Sequence, residues 1–168
     1  MSAVIKTTTP FIIQSVLFKA LEAIGAEPKI LTSDLTSGLR QGRALAGDIL
    51  TNRSDYNGSQ FFHKQGERWV FLHDSDEYSA RIESQLSDRK YTAVSRFLTE
   101  LNHAYDIAYQ DHVEAVAEQE RLRLENERKA RVESTRQNAI AKAKAQGYSV
   151  KQSETATGQI QLVLTRTI

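Results

Sequence analysis

Residues 59–73, SQFFHKQGERWVFLH, are two runs rich in aromatic residues on either side of a glycine. Such runs favour strands, and a short glycine-containing spacer between them marks a β-hairpin. A two-residue turn at Gln65-Gly66 would pair Phe62 with Trp69 and Lys64 with Glu67. That places an aromatic pair beside an opposite-charge pair, each worth ~0.2–1 kcal/mol across an antiparallel ladder. Alternation then puts Phe61, Val70 and Leu72 on one face and Phe62, Trp69 and Phe71 on the other. A sheet with two apolar faces has to be covered on both sides. Helices of the same chain can supply one cover, and a second subunit is the expected source of the other. Phe61, Phe62, Trp69 and Phe71 are therefore candidate protein-interaction residues.

Upstream of the hairpin, the pattern is β-α-β. Ile13, Val16, Leu17, Ala20, Leu21 and Ile24 recur at three- and four-residue spacing and form one apolar helical stripe. Thr9 is the expected cap, Pro10 the first helical residue and Gly25 the left-handed terminator. Ala3–Thr7 and Pro28–Thr32 read as the flanking strands. Residues 33–43 read as a polar loop, Ala44–Thr51 as a strand and Asn52–Gly58 as another loop ending in an Asn-Gly turn signal.

Downstream, no glycine or proline interrupts the chain from Glu67 to Gln146. Asp76–Leu86 reads as a short helix. Ser87 or Asp88 can cap a second, much longer one that ends before Gly147, with Lys142 and Lys144 near its negative pole. Its first third is amphipathic through Val94, Phe97, Leu98, Leu101, Tyr105 and Ala108. From Glu118 to Arg136 only Leu122, Leu124 and Val132 are large and apolar, and no sustained heptad supports a long coiled coil. Residues 114–136 are thus expected to project as a charged helical arm, with Arg121, Arg123, Arg128, Lys129 and Arg131 as candidate contacts. Tyr148–Ser153 and Gln159–Thr165 form a closing hairpin whose alternation predicts one face on a core and one in water. The fold class that results is α+β. It is a single, largely antiparallel sheet with an N-terminal β-α-β unit, one long charged helix and a C-terminal β-hairpin.

With 168 residues the chain fits one domain, 1–168. It has no cysteine, which excludes a disulfide framework, a thiolate zinc site and an iron–sulfur cluster. That suits the cytoplasm or an equivalent reducing compartment. The first residues carry no secretory pattern, and the longest apolar stretch, near Phe11 to Ala26, is interrupted by Gln14, Lys19 and Glu22, so no membrane span is expected. Net charge is +1, but Arg121–Lys151 holds nine basic and three acidic residues. This local excess is the one electrostatic pointer to an anionic partner.

The chemistry-bearing residues do not assemble into a motif. His63 and His73 fall at opposite ends of the hairpin, and His103 and His112 are too far apart on one helix for the i,i+4 spacing of a helical zinc site. His73-Asp74-Ser75-Asp76-Glu77 is the densest acidic cluster, but it lacks the glycine and the spacing of a calcium loop, and helix capping is the favoured reading. G-x-S-x-G is absent, and Gly38, Gly42 and Gly47 are spaced too widely for a phosphate cradle. No cofactor is implied.

The two ends of the chain resemble an uncharacterised open-reading-frame family, a domain of unknown function found in chloroplast genomes, cyanobacteria and other bacteria, and some tailed phages. The likeness rests on Ile5-Lys6-Thr7, on Ala20-Leu21 leading to Gly25, on Gln146-Gly147-Tyr148-Ser149-Val150, and on Gly158-Gln159-Ile160-Gln161-Leu162-Val163. In the middle, Tyr56-Asn57-Gly58-Ser59-Gln60-Phe61 departs from the family's strand, and 114–136 has the character of an insertion. The resemblance implies the fold and brings no activity or functional residue with it.

The expected function is a non-catalytic protein-interaction or regulatory module, possible as a homo-oligomer, acting through the aromatic hairpin and the charged arm. One alternative is nucleic-acid binding through Arg121, Arg123, Arg128, Lys129, Arg131, Arg136, Lys142 and Lys144. A second is a metal-assisted enzyme using Asp74, Asp76 and a histidine.

Overall fold

The computed structural model describes residues 4–34, 44–55, 58–74, 93–154 and 160–166. In chain order its elements are β1 (Ile5–Thr8), α1 (Gln14–Ala23), β2 (Lys29–Ile30), β3 (Ile49–Asp55), β4 (Gly58–Gln65), β5 (Arg68–His73), α2 (Val94–Ala145), β6 (Tyr148–Glu154) and β7 (Ile160–Arg166). The short helix expected at 76–86 and the caps expected at Ser87 or Asp88 lie outside the described residues. The chain divides into two compact units, Met1–Glu114 and Ala115–Ile168. The division falls inside α2, at the residue where the sequence placed the start of an arm.

In the first unit five strands form one antiparallel sheet in the order β1-β5-β4-β3-β2. β1 and β2 lie on opposite edges and run parallel to each other. α1 joins them, and the meander β3-β4-β5 fills the space between. The β4–β5 hairpin turns one residue later than expected: Gln65 pairs with Arg68, Lys64 with Trp69 and Phe62 with Phe71. Gly66 takes φ +63 and opens the turn, as a II′ hairpin requires of its first central residue. Both strands shift together, so the faces keep their composition.

β3 begins later than expected and replaces the loop predicted at 52–58 as far as Asp55. Its pairing with β4 slips between Leu50 and Ser54, where Thr51, Asn52 and Arg53 lie opposite Gln60 alone. The slipped segment stays bonded. The Thr51 hydroxyl donates to the Gln60 carbonyl oxygen at 2.9 Å, Arg53 Nε donates to Gln60 Oε1 at 3.0 Å, and the Asn52 amide donates to the Ala26 carbonyl at 2.9 Å. A bulge of this kind bends a strand without ending it.

α1 starts at Gln14, not Pro10. The residues before it are already held by β5, because the Trp69 amide donates to the Phe11 carbonyl at 3.0 Å and the Thr9 hydroxyl donates to the Trp69 carbonyl. Thr9 lies four residues before the N-cap position, Ile13, and its hydroxyl accepts the Phe11 amide at 3.4 Å rather than an amide of the helix. No side chain among the described residues caps the first turn; the segment leading into it is tied down from α2 instead, where the Tyr105 hydroxyl accepts the Ile12 and Ile13 amides at 3.2 and 3.1 Å. The C-terminus ends as expected at Gly25, φ +71. The Ala26 amide returns to Leu21 and the Gly25 amide to Glu22, the two bonds of a Schellman motif.

The core sits on the face of the sheet that carries Phe62, Trp69 and Phe71. These residues pack with Val16, Leu17, Ala20 and Leu21 of α1 and with Val94, Phe97, Leu101 and Tyr105 of α2. The ring centroids of Phe62 and Phe71 are 4.6 Å apart, those of Phe71 and Phe97 5.3 Å, and those of Phe11 and Tyr105 4.6 Å. Spacings of this order add ~0.5–1.5 kcal/mol per pair beyond simple burial.

The second unit contains the rest of α2 and the β6–β7 hairpin, which is paired in register from Tyr148–Arg166 to Glu154–Ile160. α2 ends at Gly147, φ +82, with Lys142 and Lys144 in its last turn. The only buried hydrophobic residues described in this unit are Ile140 and Ala143. The apolar face of the hairpin is not closed: Leu162 is half-buried, while Ile160 and Leu164 are 51% and 52% exposed. Alternation therefore predicted the face correctly but not its covering.

Candidate interaction surface

The four hairpin aromatics expected at an interface lie inside the first unit. Phe61, Phe62 and Phe71 have no exposure and Trp69 has 1%. No second subunit is needed over the further face, because Phe61, Val70 and Leu72 form a cluster with Ala44, flanked by Val4, Leu31 and Leu50. The two apolar faces of the hairpin are thus explained within one chain, and these residues are core.

The arm residues are at the surface, as expected. Arg121, Arg123, Arg128, Lys129 and Arg131 are all exposed on α2. Several are tied to carboxylates one turn away: Arg121 to Glu118 at 2.8 Å, Lys129 to Glu125 at 2.7 Å, and Arg136 to Glu133 at 2.9 Å. Arg123 holds Glu120 and reaches Glu127 at 3.9 Å. The hydrogen bond that Arg121 donates to the Glu118 carboxylate raises the Arg121 pKa, and the one that Lys129 donates to Glu125 holds the Glu125 carboxyl below its ordinary range. Of the basic set considered for nucleic acid, Arg128, Arg131, Lys142 and Lys144 make no ion pair among the described residues. Arg136 is partly buried.

The structure does not gather the histidines. His63 Nδ1 lies 2.8 Å from Asp48 Oδ1, and Asp48 Oδ2 accepts the Leu45 amide at 2.9 Å. His73 is on the opposite face of β5 from that site. Its Nε2 is 2.7 Å from the Thr7 hydroxyl and its Nδ1 2.6 Å from the Asp74 carbonyl oxygen. Neither the Asp48 nor the Thr7 contact was visible in the sequence, since each joins residues from separate strands or loops. Both histidines have partners that orient them as structural groups. Asp76 lies outside the described residues, and no group of three or more metal-ligating side chains occurs among those described. Two open grooves are lined by the first unit. One of about 320 Å³ carries Thr8, Thr9, Thr99 and Asn102, and one of about 690 Å³ runs along Ile13, Phe18 and Ile30. The first lining has no ionisable group, and the second has only the exposed Lys19 and Glu22.

Large apolar side chains are exposed along the second unit. Leu122 is 48% exposed, Leu124 53% and Val132 61%, in addition to Ile160 and Leu164 of the hairpin. No helix among the described residues is long and apolar enough to cross a membrane. No protein-family model, curated protein or solved structure matches the chain.

Proposed function

We propose that this protein is a non-catalytic protein-interaction module whose contact element is the second unit, residues 115–168. The observation that supports this reading is the imbalance of burial in that unit, where among the described residues Ile140 and Ala143 are covered and Leu122, Leu124, Val132, Ile160 and Leu164 are not. A two-stranded hairpin is marginal by itself, and a unit of this size with so little core gains stability from burial against something else. The first unit, in contrast, buries Phe11, Phe61, Phe62, Trp69, Phe71 and Phe97, and it serves as the scaffold. The basic run at 128–144 supports a second reading, nucleic-acid binding. That reading is weakened by the carboxylates that occupy Arg121, Arg123, Lys129 and Arg136.

Photo-crosslinking in the native host tests the first reading. A crosslinking residue is placed at position 124, 132, 160 or 164, with controls at positions 19 and 64 of the first unit. Protein adducts confined to the second-unit positions are expected. Adducts to nucleic acid alone, or none at any position, would overturn the reading.

A further inference from the structure

We infer that the partner of the helical arm is a second copy of this chain, bound antiparallel along a seam of α2. This inference rests on the preceding reading and names the partner. Glu118, Leu122, Glu125, Lys129, Val132 and Arg136 follow one another at spacings of four, three, four, three and four residues. In a helix that spacing puts all six on one face, in the positions that face a partner helix. The same face continues to Ile140 and Ala143, which are buried, whereas Leu122 and Val132 are not.

The order of these six residues is self-complementary only when read against itself in reverse. In an antiparallel pair centred on position 127, Glu118 of one copy meets Arg136 of the other, Leu122 meets Val132, and Glu125 meets Lys129. Each contact then occurs twice about the two-fold axis, as an isologous interface requires. A parallel pair would put Glu118 against Glu118 and Arg136 against Arg136, so like charges select against it.

The charge of the whole helix points the same way. Residues 111–127 hold six acidic and two basic side chains, net −4, and residues 128–144 hold one acidic and six basic, net +5. Antiparallel copies lay the negative half of one beside the positive half of the other. The ion pairs already present within one copy, Glu125–Lys129 among them, become part of a four-residue network when two seams meet. Since only two of the six positions are apolar, the association is electrostatic in large part. It weakens in ~1 M salt, where the Debye length is ~3 Å.

The test is sedimentation equilibrium of the full-length, nuclease-treated protein at low ionic strength, with three chains. The natural chain is expected to dimerise. A chain carrying Lys129→Glu and Arg136→Glu has an all-acidic seam, and one carrying Glu118→Lys and Glu125→Lys has an all-basic seam. Each alone is expected to associate at least about tenfold more weakly, with far-UV circular dichroism unchanged, and an equimolar mixture is expected to form the heterodimer. Orientation is read separately. The chain has no cysteine, so Leu122→Cys and Val132→Cys chains should crosslink when mixed and not singly, because like positions lie about 15 Å apart in the antiparallel register. A natural chain that stays monomeric, charge-reversed chains that dimerise unchanged, association abolished by nuclease treatment, or a disulfide formed by either cysteine chain alone would overturn the inference. If the chain is monomeric but still crosslinks to other proteins through the second unit, the self-partner fails and the interaction reading survives.

Discussion

The two units solve the problem of burial differently. Of the twenty buried hydrophobic residues described, eighteen belong to residues 1–114 and two to residues 115–168. The first unit is held by long-range contacts: strands paired across the sheet, aromatic rings packed between β5 and α2, and a tyrosine of α2 that accepts the two amides leading into α1. The second is held mainly by local ones, namely the helical backbone, pairs three or four residues apart, and one hairpin ladder. A single helix takes part in both. Val94 to Tyr105 of α2 is a core element, whereas Glu118 to Arg136 of the same helix gains little from its own chain. Stability that comes from long-range packing is lost by a single substitution. Stability from many small local terms is lost gradually, and it leaves surface free for a partner.

The sharpest way to break this contrast is to truncate one apolar residue in each unit. Phe71→Ala removes a ring that has no exposure and touches Phe62, Phe97 and His73. It should cost ~3–5 kcal/mol in denaturant unfolding, the usual range for a buried aromatic truncated to alanine. Val132→Ala, on the exposed arm, should change the stability of the monomer by less than ~0.5 kcal/mol. Comparable losses at the two positions would mean that the arm is packed as tightly as the core, and the division into scaffold and contact element would fail.

A smaller effect tests the long-range bond from α2 to the start of α1. Tyr105→Phe keeps the ring against Phe11 but removes the oxygen that accepts the Ile12 and Ile13 amides. Loss of about 1–3 kcal/mol is expected, the range for leaving a partly buried donor without a partner. Amide exchange at Ile12 and Ile13 should rise more than exchange at the Gly25 end of α1. An unchanged stability would show that solvent replaces the hydroxyl without cost.

What could be read from the sequence follows the same boundary. Elements fixed by neighbouring residues were legible: the apolar stripe of α1, the Gly25 terminator, the alternation of both hairpins and the start of the amphipathic part of α2. Features set by distant residues were not. Thr9 has a good capping side chain, but residues 9–11 are bonded to β5 and the helix begins only at Gln14, and nothing near Pro10 shows this. Residues 52–55 of the loop expected at 52–58 are strand, held where Thr51 and Arg53 bond to Gln60 on the neighbouring β4. The two apolar faces of the β4–β5 hairpin were read correctly, yet the inference of a second subunit failed, because periodicity shows that a face is apolar and not what lies over it. The arm presents the converse case. Its seam escapes a search for apolar heptads because charges hold four of the six positions, and it becomes apparent only when the helix is known to be continuous.

The smallest effect concerns the charges themselves. Glu125 is held below the ordinary carboxyl range by its hydrogen bond and ion pair with Lys129. A carboxyl whose pKa is lower in the folded helix contributes stability at pH values above its unfolded value, and that contribution is lost as the pH falls through the folded one. The arm should therefore lose helicity on acidification below the ordinary carboxyl range of ~4, while the core of the first unit keeps its near-ultraviolet signal over the same interval. Glu125→Gln removes one such carboxyl and should flatten the acid limb of the helicity profile slightly. Because Glu125 is exposed on the helix surface, added salt should shrink this response in the monomer, and a larger or salt-resistant response would mean that the group is shielded from solvent by a partner. Measured above and below the concentration at which the chain associates, the same profile separates a local ion pair on a solvated helix from one enclosed in a seam between two copies.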